Sequence, residues 1–203
     1  MLFDLWGAQI ETSATTTRYQ RVNTATDYDT AGFPFYTRYD AIDDSETSAT
    51  GGGATSGVFI CTAVRPSGVG TVRDLWGDTG TNTGWRLRIN AANQLEFAGG
   101  NGTAYVTATT VATLPANATA VVTGWHDGTT LRVQINQGAV FTAALASVAA
   151  GTAGFTLGKT NGAATNFFGG GLYPVVYRSG TPVTAAEIAN TQRYVANRSG
   201  VTI

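Results

Sequence analysis

The chain has a single lysine, a single cysteine and a single histidine, and each shortage excludes a class of protein. With Lys159 as its only lysine it has no basic tract, so it lacks the clustered cations that displace counterions from a nucleic-acid backbone. Cys61 alone can form neither an internal disulfide nor a cysteine-built metal cluster. It lies in the apolar stretch Val58–Val64, which suits a buried, unreactive thiol. Long hydrophobic runs are also missing: none approaches the roughly 20 apolar residues of a membrane-spanning helix. The opening Met1-Leu2-Phe3-Asp4-Leu5-Trp6 lacks the basic flank and long apolar stretch of a secretory signal, so synthesis and folding in a cytoplasm are expected. Charge is scarce, at 12% of residues and a net of −1, about half the usual ~25%.

What the chain does have is β-forming and turn-forming residues. Threonine supplies much of the polarity, and its branched Cβ suits a pleated surface. Twenty-six glycines, among them two Asn-Gly steps and one Asp-Gly step, supply turns. Hydrophobic residues make up 43% of the 203 residues, enough for the core of one domain. Trp85-Arg86-Leu87-Arg88-Ile89-Asn90 alternates strictly, which places Trp85, Leu87 and Ile89 inward. Val58–Val64 reads as a central strand buried on both faces. Ala118–Trp125 and Leu131–Asn136 flank an Asp127-Gly128 hairpin signal. Phe33–Tyr39, Val72–Trp76, Gln94–Ala98, Tyr105–Thr107, Thr109–Val111, Phe155–Gly158 and Leu172–Tyr177 are further strands. Turns every 8 to 12 residues indicate a sandwich or barrel. One helix is expected, from Ala185 to about Asn197, opened by the capping box Thr184-Ala185-Ala186-Glu187 and stopped at Gly200, with Ile188 and Val195 docking inward. Residues 1–31 fit either an interaction arm or a first edge strand, and residues 32–203 form the domain.

The order of these pieces resembles the laminin-G-like branch of the concanavalin A-like lectin superfamily. Five segments carry the likeness: Tyr39-Asp40-Ala41-Ile42-Asp43-Asp44, the Val58–Val64 strand, Gly84–Asn90, the hairpin Gly124–Val133, and Gly171–Tyr177 followed by Thr184–Ile188. Ala41 stands where the family pattern has glycine, and the hairpin runs straight from Trp125-His126 into its turn. The resemblance implies an all-β antiparallel sandwich, a jelly roll with one short C-terminal helix, that binds without catalysing. Domains of this kind occur in bacterial surface proteins and in tailed-phage virions. The low lysine content and the Thr/Gly/Ala-rich composition favour the virion. The expectation is therefore a capsid decoration, fibre or tail protein bound to other virion subunits as a homo-oligomer or on a lattice, with host glycans as further candidate partners. A carbohydrate-binding lectin module of a bacterial surface or secreted protein is the alternative. No cofactor, nucleic acid or membrane is expected.

The outward residues Arg86, Arg88, Arg132 and Gln134 are the candidate contacts for a glycan or a partner, because guanidinium forks and amides engage hydroxyls and carboxylates. A plain solvated sheet face is the competing reading. Asp40, Asp43 and Asp44, with Glu46 nearby, are calcium candidates, since calcium takes six to eight oxygens. A plain turn held by Asx hydrogen bonds is the preferred reading of these residues. Asp74, Asp78 and Asn82 form a weaker oxygen set. His126 has no nucleophile or orienting acid suggested by its neighbours and reads as structural.

Overall fold

A computed structural model describes residues 36–203 apart from 51, 79, 153 and 161–164. The readings of residues 1–31, and of a strand starting at Phe33, lie wholly or partly outside the described residues. Among the described residues are thirteen strands and one helix. One antiparallel sheet has the order β1 (Thr37–Asp40), β12 (Gly169–Leu172), β3 (Phe59–Pro66), β8 (Ala120–His126), β9 (Thr130–Ile135) and β10 (Phe141–Ala144), with β13 (Val176–Arg178) also pairing β3. The other has the order β2 (Glu46–Ser48), β11 (Phe155–Leu157), β4 (Arg73–Gly77), β5 (Trp85–Ile89), β6 (Gln94–Gly100) and β7 (Tyr105–Thr113). The fold is the sandwich the sequence implies.

Alternation produces the core. In β5, Trp85, Leu87 and Ile89 are fully buried, while Arg86 and Arg88 are half-buried on the opposite side. The inward side chains meet Leu131 and Val133 of β9 and Ile60 and Val64 of β3 in one cluster between the sheets. Trp85 stacks on Phe97 at 5.7 Å between ring centroids. Packing there is tight enough to require a glycine: a Cβ on Gly124 would lie 2.7 Å from the Phe97 ring. Each large apolar side chain so buried contributes about 1.5–3 kcal/mol.

Strand β3 is buried on both faces because a second apolar layer covers its outside. Helix α1 (Ala185–Ser199) places Val195 and Ala196 against Phe59, Cys61, Ala63, Val121, Trp125 and Tyr173, with Ile188 partly buried alongside. Its capping box forms as expected, with the Glu187 N–H donating to Thr184 Oγ1 and the Thr184 N–H donating to the Glu187 carboxylate. Gly200 ends it in the left-handed conformation at φ 71°. Three expectations need correction. The stretch Leu172–Tyr177 is two strands, not one: β12 pairs the end of β3 and β13 its start, with the intervening Pro174 unable to donate to a ladder. The two weak segments between Tyr105 and Val111 are one nine-residue strand. Gln134, expected to point outward, is buried, as described next.

Candidate functional site

The two outer faces of the sandwich differ in what they leave available. On the seven-stranded sheet, α1 closes the surface. Gln134, expected to point to solvent, is buried beneath the helix instead: its Oε1 accepts from Gln192 Nε2 at 2.8 Å and its own Nε2 donates to the Gly138 carbonyl at 2.7 Å. Arg132 donates through Nε and Nη2 to Asp127 Oδ2 at 3.0 and 2.8 Å. Both candidates on this sheet are thus engaged within the chain.

On the six-stranded sheet the outer face is polar, with Arg86, Arg88, Thr107 and Thr109 partly exposed. Register places Arg86, Ala98 and Thr107 in one row across β5, β6 and β7, and Arg88, Glu96 and Thr109 in the next. Strands lie ~4.8 Å apart, so each row spans about 10 Å, the footprint of one or two sugar rings. The Arg86 guanidinium lies 4.0 Å over the ring of Tyr105, whose hydroxyl donates to the Gly80 carbonyl at 2.7 Å and so fixes the platform. Arg88 Nε meets Glu96 Oε2 at 2.5 Å, and Asn90 Nδ2 donates to the other Glu96 oxygen at 2.9 Å. Ala98, between Arg86 and Thr107, is fully buried.

Beside this floor, Asp74 of β4 accepts through Oδ2 from Thr160 Oγ1 at 2.7 Å. Among the described residues, neither its buried Oδ1 nor the buried Nε of Arg86 has a hydrogen-bond partner within bonding distance. Burial pushes the Asp74 pKa up, while Thr160, Arg86 and Arg88 oppose the rise. Burial and the neighbouring Arg88 push the Arg86 pKa down. A donor and an acceptor, both shielded, therefore lie beneath this face.

This architecture agrees with a family match: residues 42–189 match Laminin_G_3, of the concanavalin A-like lectin/glucanases superfamily. The chain belongs to that superfamily. Among solved structures it is similar to domains LG4–5 of the mouse laminin α1 chain (TM-score 0.57, 15% identity), covering 71% of this chain and 42% of that one, so it spans less than half of the laminin fragment. It is also similar to the carbohydrate-binding module CBM40 of the Ruminococcus gnavus IT-sialidase bound to α2,3-sialyllactose (TM-score 0.54, 16% identity, 68% and 83% covered). A third likeness is to domain 4 of AbnA, an extracellular arabinanase of Geobacillus stearothermophilus, in complex with arabinotriose (TM-score 0.51, 14% identity, 72% and 68% covered). At these identities the likeness establishes fold. A search of curated protein sequences finds no match.

The remaining candidates of this superfamily member have structural work. His126 is fully buried, its Nε2 2.7 Å from the Leu145 carbonyl and its ring beside Trp85. Asp78 is buried and accepts from the backbone N–H groups of Trp85 at 2.5 Å and Gly53 at 2.7 Å, tying three loops together. Asn82 donates to the Thr103 carbonyl. The carboxylates of Asp40, Asp43 and Asp44 do converge, within 4.8 Å of one another, and all three residues are exposed. Asp40 Oδ1 accepts from the Ile42 N–H at 2.8 Å and Asp44 Oδ2 from the Asp40 N–H at 2.9 Å, so the Asx turn is present, with Ala41 left-handed at φ 71°. A groove of about 330 Å³ lies between the β1 and β2 edges, lined by Tyr36, Tyr39 and Tyr173. Its one carboxylate, Glu46, already accepts from the Tyr39 hydroxyl. Sequence reasoning missed Tyr105, Thr107 and Thr109; the Tyr-x-Thr-x-Thr alternation was the available signal.

Proposed function

We propose that this chain is a non-catalytic binding module that recognises a glycan on the outer face of its six-stranded sheet. The observation that carries the reading is the asymmetry of the sandwich: α1 seals one outer face, while the other presents Arg86 stacked on Tyr105 among Thr107, Thr109 and the Arg88–Glu96 pair. A pyranose or furanose ring offers hydroxyls in fixed directions, which suits rigid strand-borne forks and hydroxyls better than mobile loops. That two similar modules carry sialyllactose and arabinotriose supports the class of ligand.

The test is a glycan array followed by calorimetry on the best ligand. Binding should fall at least 10-fold, or about 1.4 kcal/mol, with Arg86→Ala or Tyr105→Ala. It should be unchanged by Arg132→Ala, on the opposite face. A chain that binds no glycan, or binds one equally after Arg86→Ala, overturns the reading. The setting we propose is a tailed-phage virion, where the module decorates a capsid, fibre or tail. The supporting observation is compositional: one lysine, 12% charged residues and abundant Thr and Gly. The neighbouring genes test it, since capsid and tail genes alongside would support it and a polysaccharide-utilisation cluster would overturn it.

A further inference from the structure

The charges on the six-stranded face are already matched to one another, and that bears on which glycan the face takes. Arg88 shares Glu96 at 2.5 Å, and Asn90 occupies the second Glu96 oxygen. Arg86 is committed to the Tyr105 ring, with the Asp74 carboxylate near enough to act on its charge. Two arginines and two carboxylates sum to zero. Asp74 Oδ1 and Arg86 Nε are themselves buried, so the exposed polar groups of the face are the threonines. The Thr107 and Thr109 hydroxyls, each able to donate and accept, have no hydrogen-bond partner among the described residues.

We infer that the face selects an uncharged, hydroxyl-rich sugar and discriminates against sialylated or uronate glycans. The inference rests on the glycan-binding reading and narrows it. A sugar hydroxyl both donates and accepts, so it can pair with the Thr107 and Thr109 hydroxyls whichever way each is turned. A sugar carboxylate only accepts. To reach Arg88 it must displace Glu96, leaving that carboxylate with Asn90 alone, and in front of Arg86 it faces Asp74. Like charges held close in a partly desolvated site repel strongly, because little water remains to screen them.

Calorimetry and array binding with matched probes, lactose against α2,3-sialyllactose and a neutral arabino-oligosaccharide against a uronate oligomer, test this. The expected result is that a neutral probe binds and its acidic counterpart is at least 10-fold weaker. Affinity for the neutral probe should change less than about two-fold between low and high salt, since no net ion pair forms on binding. Glu96→Gln, checked for folding by circular dichroism, should narrow the preference, lowering the ratio of neutral to acidic affinity several-fold. Preference for the acidic probes, lost on Arg86→Ala, would overturn the inference while leaving the glycan-binding reading intact. Binding of neither class would overturn both. The salt dependence reads the unaltered protein, so a poorly folded variant does not remove the test.

Discussion

Asp127 shows how a single residue sets a local energy balance. It sits in the turn between β8 and β9, where burial works against its charge. Hydrogen bonds from Arg132 and from the Thr129 side chain and backbone, with one from the Thr130 N–H, outweigh that cost and hold its pKa at about 2. A folded-state value below the ordinary 3.8 means the unfolded chain takes up the proton first as pH falls. The contribution is therefore complete above about pH 4 and lost as the pH drops toward about 2. Glu187 is held at about 2 by the Thr184 backbone and Arg178 and loses its contribution over the same window. Urea midpoints measured from pH 5 to pH 2 should fall in the parent protein, and fall less steeply in Asp127→Asn. An unchanged slope would show that the turn contributes nothing through this charge.

At the scale of the element, local chemistry was legible wherever a strand or helix carried its own code. The alternation of Trp85, Leu87 and Ile89 gave β5 its inner face. The Thr184–Glu187 box and Gly200 bounded α1 to within two residues, because cap geometry is written in adjacent positions. Elements that depend on their partners were less legible. β7 turns Ala108 and Thr110 inward, one small and one polar, so its apolar alternation is faint and one strand reads as two. Removal of the cap oxygen by Thr184→Ala should lower stability by about 1 kcal/mol. A chemical-denaturation midpoint shift without a change in slope would check it, and Thr184→Ser should restore most of the loss. If Thr184→Ala is neutral, the helix is held by its docked face alone.

At the scale of the molecule, the pairing order of strands decided what the residues could not reveal locally. Arg86 and Arg132 look equivalent in sequence, each outward on an alternating strand, but β5 joins β4 and β6 while β9 joins β8 and β10, so they emerge on opposite faces. Nothing near Gln134 in the sequence announces that Gln192, 58 residues on, will cover it. The same long-range order divides the apolar interior into two layers, one between the sheets and one beneath α1. That division predicts separable failures. Val195 is fully buried between helix and sheet, and Val195→Asp places an unpaired carboxylate there at a cost of about 3–5 kcal/mol, enough to undock α1. Trp125 and Tyr173 would then face solvent, raising binding of a hydrophobic dye and weakening the near-ultraviolet circular dichroism. The Arg86 face lies beyond both sheets, whose spacing of ~10 Å keeps it clear of the helix, and should hold its glycan with affinity within about two-fold of the parent. Loss of glycan binding together with the helix, in a variant whose far-ultraviolet spectrum still reports β-sheet, would mean that the two layers act as one unit and that the site depends on the helix it does not touch.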